Sequence, residues 1–373
     1  MQRTVFFYFG TDLHGTVNGY PHSSLVLAEG FRELGWKVQS DVPYWRITTD
    51  SQPLFLPKGD SDPKDSDLII FNEEVLAYDP NLVSRARRES ATSLTIYIDR
   101  SDIGSATLIG VTGPGADCDL ILRCHWNGKM RYRENCRPWA FAISDRIRNA
   151  CSSNSERRVQ QMVWNYRRKN HHHSSRQFAD SRIQPEVRKL ISIDSEIDSE
   201  ESTSSNTVDE LYRLQTDGRH SPSYYKRLQR ATACACFCGW FLLPVRQQEA
   251  GLLCRMGRRL LKSGTFPTRT ICQWDSWRLW ESFAAGTAVV HFDFELHGMV
   301  LPEMPVNGVH YIGVDPRNIE KSLRPLSDPV LVRQIGENGR QWALKHYTPK
   351  AMAERLLTML KPIRKDWGTR ICV

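Results

Sequence analysis

Trp274 to Asp293 reads W-D-S-W-R-L-W-E-S-F-A-A-G-T-A-V-V-H-F-D, a helix followed at once by a buried strand. Asp275, Arg278 and Glu281 recur at intervals of three, which places them near one face of the first helical turns. Ala284, Ala285 and Gly286 carry almost no side-chain bulk, so a group can approach the backbone there. Thr287 to His291 then reads as a short central strand ending in polar residues. Charged groups at one end of a helix, beside the carboxyl end of a parallel strand, are where open α/β sheets bind ligands. Trp274, Trp277 and Trp280 share the three-residue spacing. They read as packing between helix and sheet, with a base-stacking platform as the alternative.

Outward from this stretch the same alternation continues. Val5–Phe9, Trp36–Val42, Leu68–Phe71, Leu94–Ile98 and Leu120–Cys124 are strand-like, and Ser23–Leu34 is an amphipathic helix closed by Gly35. Strands that alternate with helices and end in polar loops predict an α/β fold with parallel, doubly wound sheets. The polar loop from Gly10 to Gly19 holds Asp12, His14 and Asn18. It is not G-x-G-x-x-G, and no acid is placed to clamp a cofactor ribose, so no bound cofactor is expected.

From Cys151 to Gln215 the composition changes. Arg157-Arg158, Arg167-Arg168-Lys169 and His171 to His173 precede a run rich in Ser, Asp and Glu, Ser192 to Asn206, which reads as a weakly ordered loop. Three adjacent histidines cannot all face one ion from a regular element, so they read as surface loop and no metal is expected. Met162–Tyr166 reads as the first strand of a second unit. A helix with Ser221 as N-cap and Pro222 in its first turn follows, then a strand over Thr232–Phe237 and a basic amphipathic helix over Gln247–Lys262. Val309–Val314 is strand-like, and Pro329–His346 and Lys350–Leu360 are helical. The organisation expected is an N-terminal α/β domain over 1–150, an insertion-bearing start of the second domain over 151–217, a second α/β domain over 218–347, and a returning helix with tail over 348–373.

A length of 373 residues suits two ordinary domains, and 40% hydrophobic with 25% charged residues is globular composition. No secretory signal is read in Thr4–Phe9, and the apolar run Ala231–Val245 is too short for a membrane span. Of the ten cysteines, Cys234, Cys236 and Cys238 alternate. They read as reduced core thiols in preference to zinc ligands, which points to a cytoplasmic location. The formal charge of +8 favours an anionic partner. A nucleotide diphosphate and peripheral contact with an anionic membrane both qualify, as do ordinary solvated side chains. No nucleic-acid module is present, so nucleic acid is not expected.

Glu281-Ser-Phe-Ala-Ala-Gly-Thr-Ala-Val-Val290 follows the pattern E-x-x-A-x-G-T-x-V-V. It resembles the donor-binding segment of GT-B glycosyltransferases, which have two Rossmann-like domains facing a cleft, and in particular the group 1 or family 4 C-terminal domain. H-S-P-S-Y-Y at 220–225, W-D-x-W-R-x-W-E at 274–281 and H-Y-I-G-V-D at 310–315 carry the resemblance together over about residues 218–360. The resemblance implies that Glu281 holds the ribose hydroxyls of a nucleotide-sugar. Many relatives have a second Glu eight residues earlier, where this chain has Gln273. It further implies that the last helix, Ala351–Leu360, crosses back onto the first domain, and that the 10–19 loop, with Asp12, His14, Asn18 and Gly19, lies on the acceptor side. The activity implied is transfer of a sugar from a nucleotide-diphospho-sugar to a glycan or lipid-linked acceptor. A non-catalytic sugar- or polymer-binding protein is the alternative. An epimerase is disfavoured by the missing G-x-G-x-x-G loop and Tyr-x-x-x-Lys dyad.

Such transfer requires a stabilised diphosphate leaving group and an aligned acceptor hydroxyl. Without a metal the first falls to cations, and Arg219, Lys226, Arg246 and Arg278 are the candidates. Arg278 leads because it shares a helix face with Asp275 and Glu281; a surface pair with either acid is its alternative. Asp275 is grouped with the donor site, as are His297 and Gly298, which follow Asp293 beside the expected sugar pocket. Asp12, His14, Asp102 and His125 follow first-domain strands and are candidates for the base, with Asp102 and His125 foremost. Asp293-Phe-Glu295 does not make a D-x-D metal motif.

Overall fold

The computed structural model describes residues 2–9, 22–41, 62–90, 92–101, 113, 115–151, 158–166, 173–196, 222–242 and 267–363. Their strands form two parallel sheets and one short antiparallel pair. The first sheet holds β1 (Thr4–Tyr8), β2 (Lys37–Ser40), β3 (Leu68–Asn72), β4 (Leu94–Asp99), β5 (Leu120–Arg123) and β6 (Cys136–Pro138), in the order β2-β1-β3-β4-β5-β6. Its helices are α1 (His22–Glu33), α2 (Glu73–Tyr78), α3 (Leu82–Glu89) and α4 (Asp145–Ala150). Every residue of β3 and β4 is buried, as strands covered by helices on both faces must be.

The second sheet begins with β7 (Val159–Val163). Helix α5 (Ser174–Phe178) runs through a π turn, Ala179–Ile183, into α6 (Gln184–Arg188), and the chain returns through β8 (Ser192–Asp194). Helix α7 (Pro222–Arg230) feeds β9 (Ala231–Ala235), and β10 (Trp240–Leu242) pairs antiparallel with β11 (Thr270–Cys272). Then come α8 (Trp277–Ala284), β12 (Ala288–Phe292), α9 (Phe294–His297), β13 (Ile312–Val314), α10 (Ile319–Leu323), α11 (Pro329–His346) and α12 (Pro349–Leu360). The strand order is β13-β12-β9-β7-β8. Counted within each sheet, both run second-first-third-fourth-fifth, the doubly wound order, and the first sheet adds a sixth strand. The expected fold class, two Rossmann-like α/β units, holds.

Three elements differ from expectation. Ser192–Asp194 is not loop but strand β8, paired in parallel with β7 at the sheet edge; a three-residue edge strand needs little apolar content. Helix α8 starts at Trp277 behind Ser276, so Asp275 lies outside it. Ala284 to Gly286 end α8 at the amino edge of the sheet, and what approaches them is protein. Arg158 donates to Ala285 O, Arg340 Nε to Ala284 O at 3.2 Å, and Gly336 of α11 sits against Gly286 O. The Gln247–Lys262 segment lies outside the described residues.

Helix α12 packs on α1, and Ile143 N donates to Tyr347 O at 3.0 Å. The contact is close enough that a Cβ on Gly30 would lie 2.0 Å from Pro349 O. Gly30→Ala is expected to destabilise the protein by about 1–3 kcal/mol, the range of an overpacked core; urea unfolding measures it. Beside it, burial lifts the Glu29 carboxyl to about 8, with Asp145 adding to the rise and the Asp145 N–H, bonded at 2.9 Å, opposing it. A carboxyl raised in the folded state stabilises most below its unfolded value, and that contribution is lost as pH rises through about 8. Glu29→Gln does not titrate. Between pH 5 and 9 its stability relative to the parent is expected to rise by on the order of 2 kcal/mol, read from urea midpoints at both ends.

Candidate functional site

In a doubly wound sheet the crevice lies outside the carboxyl ends of the two strands where the order reverses. In the second sheet these strands are β7 and β9. Trp164, Asn165 and Tyr166 leave β7 there, and Phe237, Cys238 and Gly239 follow β9. Helices α7 and α8 each feed a strand of this parallel sheet, so their first turns, with Tyr224 and Arg278, lie at the same edge.

Asp180 in the π turn fixes the end of β7: it accepts from Trp164 Nε1 at 2.9 Å and from the Tyr166 hydroxyl. Two guanidinium groups lie over the Tyr166 ring, Arg176 at 5.1 Å and Arg278 at 5.7 Å. They differ in what holds them. Arg176 is anchored, donating through Nε to Phe237 O at 3.1 Å and through Nη2 to Cys238 Sγ at 3.4 Å. Arg278 is not: its Nε is buried without a hydrogen-bond partner, and the guanidinium enters no ion pair among the described residues. The Tyr224 hydroxyl and Asn165 Oδ1 are buried and unpartnered in the same way, in side chains only 8% and 7% exposed. Burial, then Glu281, pushes the Tyr224 hydroxyl well above its usual pKa. Glu281 is buried below and accepts from the Tyr225 hydroxyl at 3.3 Å. Buried polar groups are nearly always paired, and at this crevice three are left unpartnered among the described residues.

The residues expected from sequence fall in three places. Asp12, His14, Asn18, Gly19, Asp102, Arg219 and Arg246 lie outside the described residues. Arg278 and Glu281 are at the crevice, while Lys226, one position past Tyr225, is exposed. Asp275, His125, His297 and Gly298 lie between the two units. Asp275 shares no helix face with Arg278. Its Oδ2 accepts from Phe141 N at 2.8 Å and its Oδ1 from Trp280 Nε1 at 2.7 Å. Burial lifts its carboxyl to about 7. Both oxygens are taken by protein donors.

His125 Nδ1 accepts from Asp275 N at 3.2 Å, and burial with Arg123 nearby holds the ring well below its usual pKa. The ring is buried in this contact. The His297 ring packs on Phe292 and Phe241, lowered to about 3 by burial and Lys129. Gly298, at φ 72°, caps α9 against Asn127. His173 lies in the loop residue before α5, half-buried 6.1 Å from Trp240, and His171 and His172 lie outside the described residues. Asn165, Tyr224 and Arg176 were missed. The available signals were a polar residue at the end of β7 and the helix start at Pro222.

No protein-family model matches the chain, and no curated protein matches it. Among solved structures, a sucrose-phosphate synthase from Thermosynechococcus elongatus is similar at 10% identity, covering 97% of this chain and 99% of that one with a TM-score of 0.49. HepE of Anabaena, in complex with UDP-glucose, is similar at 9% identity over 96% and 99% of the two chains, TM-score 0.49. TarM of S. aureus is similar at 10% identity over 79% of this chain and 55% of its own, TM-score 0.43.

The orphaned hydroxyl gives a direct check. Tyr224→Phe removes a buried donor that has no protein partner, so the melting temperature should stay level or rise. If a ligand uses that hydroxyl, affinity for it should fall by about three- to tenfold, the scale of one hydrogen bond. A clear drop in melting temperature would instead place a protein partner on Tyr224.

Proposed function

We propose that this chain is a glycosyltransferase that takes a nucleotide-diphospho-sugar at the β7/β9 crevice and transfers its sugar to a glycan or lipid-linked acceptor. The observation that carries the reading is Arg278: a guanidinium held over Tyr166, its Nε buried and unpartnered. A cation in no ion pair among the described residues, at a switch-point crevice, suits the departing diphosphate, where negative charge grows as the glycosidic bond breaks. Arg176 supplies the second guanidinium over the same ring. The Tyr224 hydroxyl and the Asn165 amide add one donor and one acceptor. A carboxylate accepts several hydrogen bonds, so Glu281 can serve Tyr225 and a ribose diol together. Among the first-domain candidates for the base, Asp102 remains the proposal. UDP-glucose in HepE and UDP in TarM are ligands of those proteins; a uridine nucleotide is the first probe to try here.

A second reading, binding of the nucleotide-sugar without transfer, is favoured by Gln273. It stands where the resemblance has a carboxylate, in a left-handed backbone at φ 52°, with Oε1 buried and unpartnered. A neutral amide there binds hydroxyls but cannot balance a developing positive charge.

Titration with nucleoside diphosphates, followed by turnover with the sugar-nucleotides that bind, separates the readings. Arg278→Ala should lower kcat by roughly 100-fold with a smaller change in donor KM, the pattern of a group acting on the breaking bond. Arg278→Lys should recover part of it, since a point charge replaces the planar fork. Wild-type turnover in Arg278→Ala would end the assignment. Binding with no turnover in the parent protein would favour the second reading.

A further inference from the structure

One loop of the first unit is threaded into the second. Trp126 to Lys129 follow the carboxyl end of β5, and Asn127 at their centre is fully buried. Its amide nitrogen donates to Ile271 O at 2.8 Å and to His297 O at 2.9 Å, across 144 and 170 residues of sequence. Its Oδ1 accepts from Lys129 N at 3.0 Å, and its own N–H donates to the Tyr132 hydroxyl at 2.9 Å. On either side the backbones pair as well. Gly128 N donates to Gly298 O at 2.7 Å, and Val300 N donates to Trp126 O at 3.2 Å. The Trp274 indole also donates to Trp126 O, at 3.0 Å, and Lys129 Nζ to Leu296 O at 2.8 Å. The fit is close on both sides: a Cβ on Gly298 would lie 2.6 Å from Asn127 Oδ1.

We infer that Trp126–Lys129 is a clasp that fixes the two α/β units in one orientation, so that separating their facing carboxyl edges requires this loop to let go. Ordinary contact between domains is made by exposed side chains that exchange partners with water. Here the bonds are to backbone carbonyls, made by a side chain with no exposure. Buried N–H and C=O groups must be paired or wetted, so release has to hydrate several of them at once. That makes the clasp a two-state element with no graded intermediate positions. The two carbonyls held by Asn127 belong to segments that flank the crevice: Ile271 leads through Gln273 to Arg278, and His297 follows β12. Release would therefore loosen both segments at these carbonyls, while the bond from Phe141 N to Asp275 and the α1–α12 contact still join the units.

Hydrogen exchange on the whole chain tests this. In the parent protein the Gly128 and Val300 amides should be protected. Asn127→Asp keeps the shape, removes both donors and sets a carboxylate against two carbonyls. It should speed exchange at Gly128 and Val300 by at least about tenfold, the effect of one lost buried hydrogen bond. β4 and β12 amides should be unchanged, and the radius of gyration from small-angle scattering should increase. Gly298→Ala crowds the clasp from the other side and should act alike if Asn127→Asp does not fold. Parent amides that exchange as fast as an open loop would overturn the proposal. So would a folded variant with unaltered exchange and radius.

Discussion

Asp275 places the candidate site. Its carboxylate is withdrawn from water and shared: one oxygen takes the indole N–H of Trp280 on α8, the other the backbone N–H of Phe141 from the first unit. The first bond fixes where α8 begins, and Arg278 is the second residue of that helix. The second ties the same point to the chain that leaves β6. Burying the group is unfavourable enough to lift its carboxyl to about 7. Around it, Trp277 lies edge-on to His22 at 4.3 Å and tilted to Phe141 at 4.6 Å, both from the first unit. The three tryptophans are therefore packing residues, and the packing spans two units as well as helix and sheet.

The crevice is built in the opposite way. Where Asp275 has every acceptor used, Arg278, Tyr224 and Asn165 each keep a polar atom buried and unused. Such groups lower stability, and a core selected for stability alone would replace them with apolar side chains. They lie at one end of β7 and β9, with Asp180 beneath them bonded to Trp164 and Tyr166. A ligand seated there would give these atoms the partners that the described residues do not.

Most of the fold was legible in sequence. Strands buried on both faces read as continuous apolar runs, and helix ends at Gly35 and Pro222 are marked by residue type. Helix α12 was placed on the first unit by resemblance. The site was less legible. Asp275, Arg278 and Glu281 keep a three-residue spacing, but spacing does not say where a helix starts; Ser276, a capping residue type, was the better signal. Small side chains at 284–286 announce a close approach without naming what approaches, and the partner is α11 with two arginines. His125 and His297 look like chemistry in one dimension and are enclosed in three. Whether a polar atom lacks a partner is a property of the folded surroundings alone, so Tyr224 and Asn165 had no sequence signature beyond their positions.

The contact between Gly30 and Pro349 also has a meaning in the order of synthesis. On α1 the side chains from Leu25 to Ala28, and Phe31, are at most 1% exposed. Part of what covers them is α12, more than three hundred residues later in the chain. The first unit cannot finish its own surface when its last strand leaves the ribosome. It must wait, with an apolar helix face open, until the second unit has been made and its final helix delivered. Domains that fold as they emerge are protected from aggregation by early completion. This chain gives up that protection and makes the first unit's maturity depend on the arrival of the last helix.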